Sequence, residues 1–136
     1  MSIDRVFLDA NILFSIGYGR LGLDRIAELA QKGKCLLLAS GFVIEEARRN
    51  LDNPVQLKRL DDLLTHVQIV LEADASITCP IDLVEKDRPV LMAAISARAD
   101  FLLTGDKAHF GKYFGQAIGG VKICMARDYL LGSQQP

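Results

Sequence analysis

Four acidic side chains are spaced so that an α/β chain can bring them to one edge. Asp9 directly follows the apolar run Val6-Phe7-Leu8, and Glu46 falls in a stretch of helical periodicity. Asp87 immediately precedes Arg88-Pro89, and Asp106 follows Leu102-Leu103-Thr104-Gly105. Carboxylates gathered in one place repel one another and lose hydration, so a group of three or four is tolerated where a cation neutralises them. An oxygen-only donor set, with no His or Cys in the pattern, suits Mg2+ or Mn2+ rather than zinc. Each acid alone also has a structural reading: Asp9 and Asp106 as turn residues, Asp87 as a helix N-cap, Glu46 as a solvated helix position. Their joint placement favours the site. Between the neighbours Glu45 and Glu46, the helical wheel selects Glu46, which flanks the stripe of Phe42 and Val43, whereas Glu45 lies nearly opposite it.

The elements that must position these acids are legible as apolar runs and stripes. Strands are expected at residues 5–8, 35–39, 67–71, 100–103 and 121–125, each a short apolar run bounded by polar turn residues. Helices are expected between them. Asn11 opens a short turn through Ile12, Leu13 and Phe14 that ends at Gly17 and Gly19, and residues 21–31 carry a stripe closed by Gly33. Ser40 stands as the N-cap of a helix with Val43, Ile44, Ala47 and Leu51 inward, and Asn53-Pro54 opens another with Leu57, Leu60, Leu63 and Leu64 inward. A helix from Asp87-Arg88-Pro89 runs to near Ala99, and residues 127–131 form a closing helical turn. Continuous apolar strands alternating with helices specify a parallel sheet covered on both faces. In such sheets ligands bind outside the carboxyl ends of the strands, where the strand order reverses, and that is the edge the four acids share.

Composition bounds the alternatives. Half of the 136 residues are apolar and 24% are charged, which excludes a disordered or fibrous chain and is consistent with one domain, residues 1–131, followed by a tail at 132–136. The net charge of -1 leaves no whole-molecule attraction for nucleic acid, so any such contact needs a local patch. Without a basic, apolar leader at the start or an apolar run of membrane length, the expectation is a cytoplasmic protein with no membrane contact. Cys35, Cys79 and Cys124 are odd in number and widely spaced, so neither a disulfide framework nor a zinc site is expected, and two read as buried strand residues.

Phe7-Leu8-Asp9-Ala10-Asn11, Val43-Ile44-Glu45-Glu46-Ala47-Arg48-Arg49-Asn50-Leu51, Asp87-Arg88-Pro89-Val90-Leu91 and Ala99-Asp100-Phe101-Leu102-Leu103-Thr104-Gly105-Asp106 resemble the PIN domain family in order and spacing, across nearly the whole chain. The Asp-x-Asn opening and the Thr-Gly-Asp element are the specific parts. The resemblance implies a Rossmann-like three-layer α/β/α fold with a parallel sheet of about five strands, and an Mg2+- or Mn2+-dependent endoribonuclease. Carried over by position, the family's acidic quartet falls on Asp9, Glu46, Asp87 and Asp106, and its supporting polar residues on Asn11 and Thr104. The final 121–131 segment is similar to that of the VapC-like toxin subgroup, which implies a cognate antitoxin partner and a homodimer. The implied reaction is hydrolysis of RNA by a metal-activated water, with Arg48, Arg49, Arg88 and Lys107 near the same edge to offset phosphate charge, though solvated surface charges explain those four equally well.

Other signals are weaker. Gly17-Tyr18-Gly19-Arg20-Leu21-Gly22 spells the dinucleotide fingerprint, but it does not start at the end of the first strand and lacks the acid at the end of the second, so a loop is expected. His66 and His109 are expected as surface or satisfied residues, with His109, close to Asp106, the one able to touch substrate. Two rival functions stay open at this stage: a non-catalytic PIN-like module that binds RNA or protein, and a Mg-dependent phosphotransfer or receiver-like domain. Exposed apolar residues between 57 and 71 would serve a dimer or antitoxin contact, or belong to the core.

Overall fold

Val6, Phe7 and Leu8 are all fully buried, and successive strand residues point to opposite faces, so apolar cover lies on both sides of the strand that carries them. The same holds for Leu37-Leu38 and Leu102-Leu103, which makes the sheet the middle layer of three. The computed structural model describes residues 3–20 and 22–133. In chain order the elements are β1 (Asp4–Leu8), α1 (Ala10–Tyr18), α2 (Asp24–Gln31), β2 (Cys35–Ser40), α3 (Gly41–Asn50), α4 (Pro54–Leu64) and β3 (Val67–Val70). There follow α5 (Arg88–Ser96), β4 (Phe101–Leu103), α6 (Lys107–Phe110), β5 (Ala117–Ile118), β6 (Val121–Cys124) and α7 (Ala126–Ser133).

The strand order is β3-β2-β1-β4-β6-β5. The first five are parallel neighbours, and β5 is antiparallel to β6. The α/β architecture with five parallel strands is thus the one expected, with a sixth strand added. β5 has only two residues and returns through Gly119-Gly120, both at positive φ. That is the geometry of a two-residue hairpin turn, and a strand so short has no alternation to read. The order reverses between β1 and β4, which places the switch-point crevice beside Asp9.

The helices begin and end for local reasons. The Ser40 hydroxyl accepts from the Val43 N–H at 3.5 Å at the start of α3, and Asn53 Oδ1 accepts from the Val55 N–H at 2.8 Å ahead of Pro54 in α4. α1 is longer than expected because Gly17 lies inside it. A Cβ at Gly17 would stand 2.7 Å from Leu51 Cδ1 and 3.3 Å from the Gln56 carbonyl oxygen, so the glycine permits close packing against Leu51 and α4. Gly19, at φ 96°, stops the helix in the left-handed conformation. These two glycines of the apparent dinucleotide fingerprint therefore serve a helix contact and a helix stop. α2 starts at Asp24 rather than at residue 21, which lies outside the described residues. α7 runs on through Gly132 to Ser133, and residues 134–136 lie outside the described residues. It is anchored by the Tyr129 hydroxyl donating to Asp4 Oδ2 at 3.1 Å and by its ring edge on Phe101.

Cys35 and Cys124 are buried in β2 and β6, and Cys79 is half-buried. Between residues 57 and 71, Leu60 and Leu63 belong to the core, while Ile69 and Leu71 at edge strand β3 stand 65% and 89% exposed. Among the described residues no helix is long and apolar enough to cross a membrane.

Candidate active site

Strand register starts the site. Leu8 and Leu103 are partners across β1 and β4, and the Asp9 N–H donates to the Leu103 carbonyl at 3.0 Å. The next residues, Asp9 and Thr104, therefore leave the sheet side by side. Asp9 caps α1, its Oδ1 accepting from the Ala10 N–H at 2.7 Å. Its Oδ2 accepts from the Thr104 hydroxyl at 2.8 Å and from the Asn11 amide at 3.3 Å. Asn11 also donates to Thr104 Oγ1 at 3.3 Å and accepts from the Gly105 N–H at 2.7 Å, and the Asp106 N–H donates to Thr104 Oγ1 at 3.1 Å. One buried hydroxyl thus donates once and accepts twice, which uses its full capacity.

The other acids arrive from three further elements. Asp106 caps α6, with Oδ1 accepting from the His109 N–H at 3.1 Å. Asp87 closes the short 3-10 turn Glu85–Asp87 and stands at the N-cap position of α5, but its side chain makes no capping hydrogen bond there. Glu46 projects from α3, one turn before Asn50, whose amide donates to the Glu46 carbonyl at 2.9 Å. Asp9, Glu46, Asp87 and Asp106 then line one cavity of about 400 Å³, together with Ala10, Asn11, Phe14, Asn50 and Lys86. Glu45 faces away and approaches Arg49 at 3.9 Å, as the helical wheel requires.

Burial works against charge here. It pushes the Asp9 carboxyl up to about 6; the Thr104 and Ala10 hydrogen bonds oppose the rise, and the charges of Asp87 and Glu46 add to it. Asp87, 7% exposed, is also raised, chiefly by burial, with His109 and Lys86 opposing and Asp106 reinforcing. At Asp87 the positive charge supplied by His109 and Lys86 does not offset the burial.

Two features depart from expectation. The donor set is not purely oxygen: His109 Nδ1 lies 2.7 Å from Asp87 Oδ2 and 2.9 Å from Asp106 Oδ2, and the three residues have the spacing to hold a metal ion. His109 is therefore half-buried against two of the acids. The only available signal was its place three residues after Asp106, the spacing of a capping residue and the N–H it receives. The basic residues also fall elsewhere. Arg48 pairs with Asp61 on α4 at 2.9 Å and Arg49 with Glu45, while the Arg88 Nε donates to the Leu83 carbonyl at 2.9 Å. Arg49 and Arg88 line a separate, larger groove of about 940 Å³ with Phe42, Ile77 and Met92, and Lys107 lines neither space. The cation at the acidic cavity is Lys86, adjacent in sequence to Asp87 but singled out by no spacing.

Known proteins share this fold. The chain resembles a solved structure described as VapBC2 from Rickettsia felis bound to a DNA fragment from their promoter, with a TM-score of 0.59 over 88% of this chain and 96% of that one. At 16% identity this likeness shows a common fold. No curated protein matches the chain. A sequence profile described as the PIN domain matches residues 5–108, a span that holds all four acids together with Asn11 and Thr104. With that profile covering well over half of its length, this protein belongs to the PIN domain family.

Proposed function

We propose that this protein is a metal-dependent endoribonuclease that hydrolyses RNA phosphodiester bonds at the cavity formed by Asp9, Glu46, Asp87 and Asp106. The observation that carries the reading is the convergence of four carboxylates, two of them buried, on one open cavity. Their state fits a divalent cation. Asp87 Oδ2 is buried with no partner in hydrogen-bonding geometry, and burial pushes Asp9 up to about 6, so burial outweighs the compensation that each carboxylate receives. Asp9, Glu46, Asp87 and Asp106 would hold Mg2+ or Mn2+, which when bound lowers the pKa of an attacking water and offsets charge on the phosphate.

The chain's own residues supply the positioning. Thr104 and Asn11 both hold Oδ2 of Asp9 while the Ala10 N–H holds Oδ1, and the N-cap bond fixes Asp106. A held carboxylate keeps its direction when substrate arrives, so little reorganisation is left for the reaction itself. Lys86 offers a cation at the rim of the cavity for a phosphate, and Lys107, exposed at the start of α6, directly follows Asp106 in sequence. On the family resemblance we extend the proposal to a toxin with a cognate antitoxin and a homodimeric state. Ile69 and Leu71 are apolar surface left over for such contacts.

The test is cleavage of a panel of labelled RNAs with Mn2+ or Mg2+, against EDTA and an Asp87→Asn variant purified alongside. Cleavage that needs the ion and falls by at least two orders of magnitude in the variant is expected. Cleavage surviving either EDTA or Asp87→Asn overturns the assignment, and bound metal without cleavage of any RNA favours a binding module instead.

A further inference from the structure

His109 stands beside the acidic cavity, in contact with two of its carboxylates, and the quartet does not explain its presence. It stands on α6, a helix of four residues whose last member, Phe110, is fully buried and ties the helix to the core. Capping by Asp106 turns the His109 ring back toward the acid that caps it, and Asp87 approaches the same nitrogen from the turn before α5. Nδ1 therefore has two carboxylate oxygens at 2.7 and 2.9 Å, drawn from different parts of the chain.

These contacts are short and neither meets hydrogen-bond geometry, although a protonated His109 would still lower the Asp87 carboxyl through its charge. Asp87 Oδ2 and His109 Nδ1 are both shut off from solvent, and neither has a partner in hydrogen-bonding geometry, although they are 2.7 Å apart. A ring N–H that served the carboxylates as a counter-ion would point along one of these lines. With the proton on Nε2 instead, one nitrogen and two oxygens bearing lone pairs lie within 4.8 Å of one another, and such an arrangement is repulsive until a cation occupies it. The separations suit that occupant. Around a six-coordinate ion with bonds of about 2.1 Å, adjacent donor atoms stand roughly 3 Å apart.

We infer that His109 Nδ1 is a ligand to a divalent ion held together with Asp87 and Asp106, and that this nitrogen donor makes the site prefer Mn2+ over Mg2+. The preference follows from donor chemistry. Mg2+ favours all-oxygen shells and keeps its waters, whereas first-row transition ions gain from imidazole. The inference rests on the metal-site reading proposed above, and it replaces the oxygen-only donor set expected from the spacing of the acids.

Mn2+ added to the full chain allows a test independent of cleavage. Electron paramagnetic resonance should show bound Mn2+, with electron spin echo modulation from a directly coordinated 14N nucleus in the unsubstituted protein and none in His109→Ala. Titration should show Mn2+ affinity falling at least about tenfold in His109→Ala, while Mg2+ affinity, which reports intact folding and intact carboxylates, changes less than threefold. His109→Asp, which restores a donor through oxygen, should recover Mn2+ binding without the nitrogen signal. Bound Mn2+ lacking 14N coupling, or equal losses for the two ions in His109→Ala, overturns the role of His109 and leaves the acidic metal site standing. Failure of the unsubstituted protein to bind Mn2+ at all overturns the metal-site reading, and the role of His109 with it.

Discussion

Replacing Asp9 by Asn tests whether the protein carries an uncompensated buried charge. Burial raises the Asp9 carboxyl from 3.8 to about 6, a rise of about two units. At about 1.36 kcal/mol per unit this is roughly 3 kcal/mol of differential stability. The sign follows from which state binds the proton more tightly. Below pH 3.8 Asp9 is neutral in both folded and unfolded chains and costs nothing. As the pH rises through 3.8 toward 6 the unfolded chain ionises freely and the folded one does not, so stability is lost, and the loss is complete about a unit above 6. Asn cannot ionise and escapes this loss. It does forfeit acceptor geometry toward Thr104 and Asn11, at a pH-independent cost of about 1–2 kcal/mol. Urea unfolding in EDTA from pH 4 to pH 8 should therefore show Asp9→Asn gaining on the unsubstituted protein by most of ~3 kcal/mol as pH rises. Groups that titrate alike in both proteins cancel in that difference. Excess Mn2+ should reverse the ranking near neutral pH, since a ligand at 100 times its Kd adds about 2.7 kcal/mol to the protein that binds it. A stability difference flat with pH, or one that favours Asp9→Asn on acidification, refutes the reasoning.

Two further substitutions probe the surroundings. Thr104→Val removes the hydroxyl that donates to Asp9 and accepts from Asn11 and the Asp106 N–H, so it should cost about 1–3 kcal/mol in denaturant unfolding. It should also move the Asp9 titration, followed by carboxyl 13C NMR, still higher; an unmoved or lowered midpoint would show that the hydroxyl does not stabilise the carboxylate. Arg98 sits at φ 57° between α5 and β4, a left-handed position closed by the Ala99 N–H on the Ala94 carbonyl. Arg98→Gly should therefore raise stability by up to ~1 kcal/mol and shift the thermal midpoint upward with no change at the acidic cavity; a lower midpoint would show that the Arg side chain outweighs its backbone strain.

The sequence by itself determined the sheet, because Val6-Phe7-Leu8, Leu36-Leu37-Leu38 and Phe101-Leu102-Leu103 are too continuously apolar to have a wet face. It also determined which acids could meet. Asp9 and Thr104 each stand one residue beyond a strand end, and the period of 3.6 separates Glu46 from Glu45. These are local properties, fixed by alternation along a strand and rotation around a helix. Tertiary packing decided the rest. Arg48 turns away because Asp61 of α4 lies beside it, and Lys86 reaches the cavity because a 3-10 turn, not the helix itself, carries Asp87. β5 exists because two glycines at positive φ fold it back on β6. His109 is the clearest case. A four-residue helix has no periodicity to read, and the direction of its ring follows from where the turn before α5 places Asp87, a contact between residues 22 apart in sequence that no local pattern encodes.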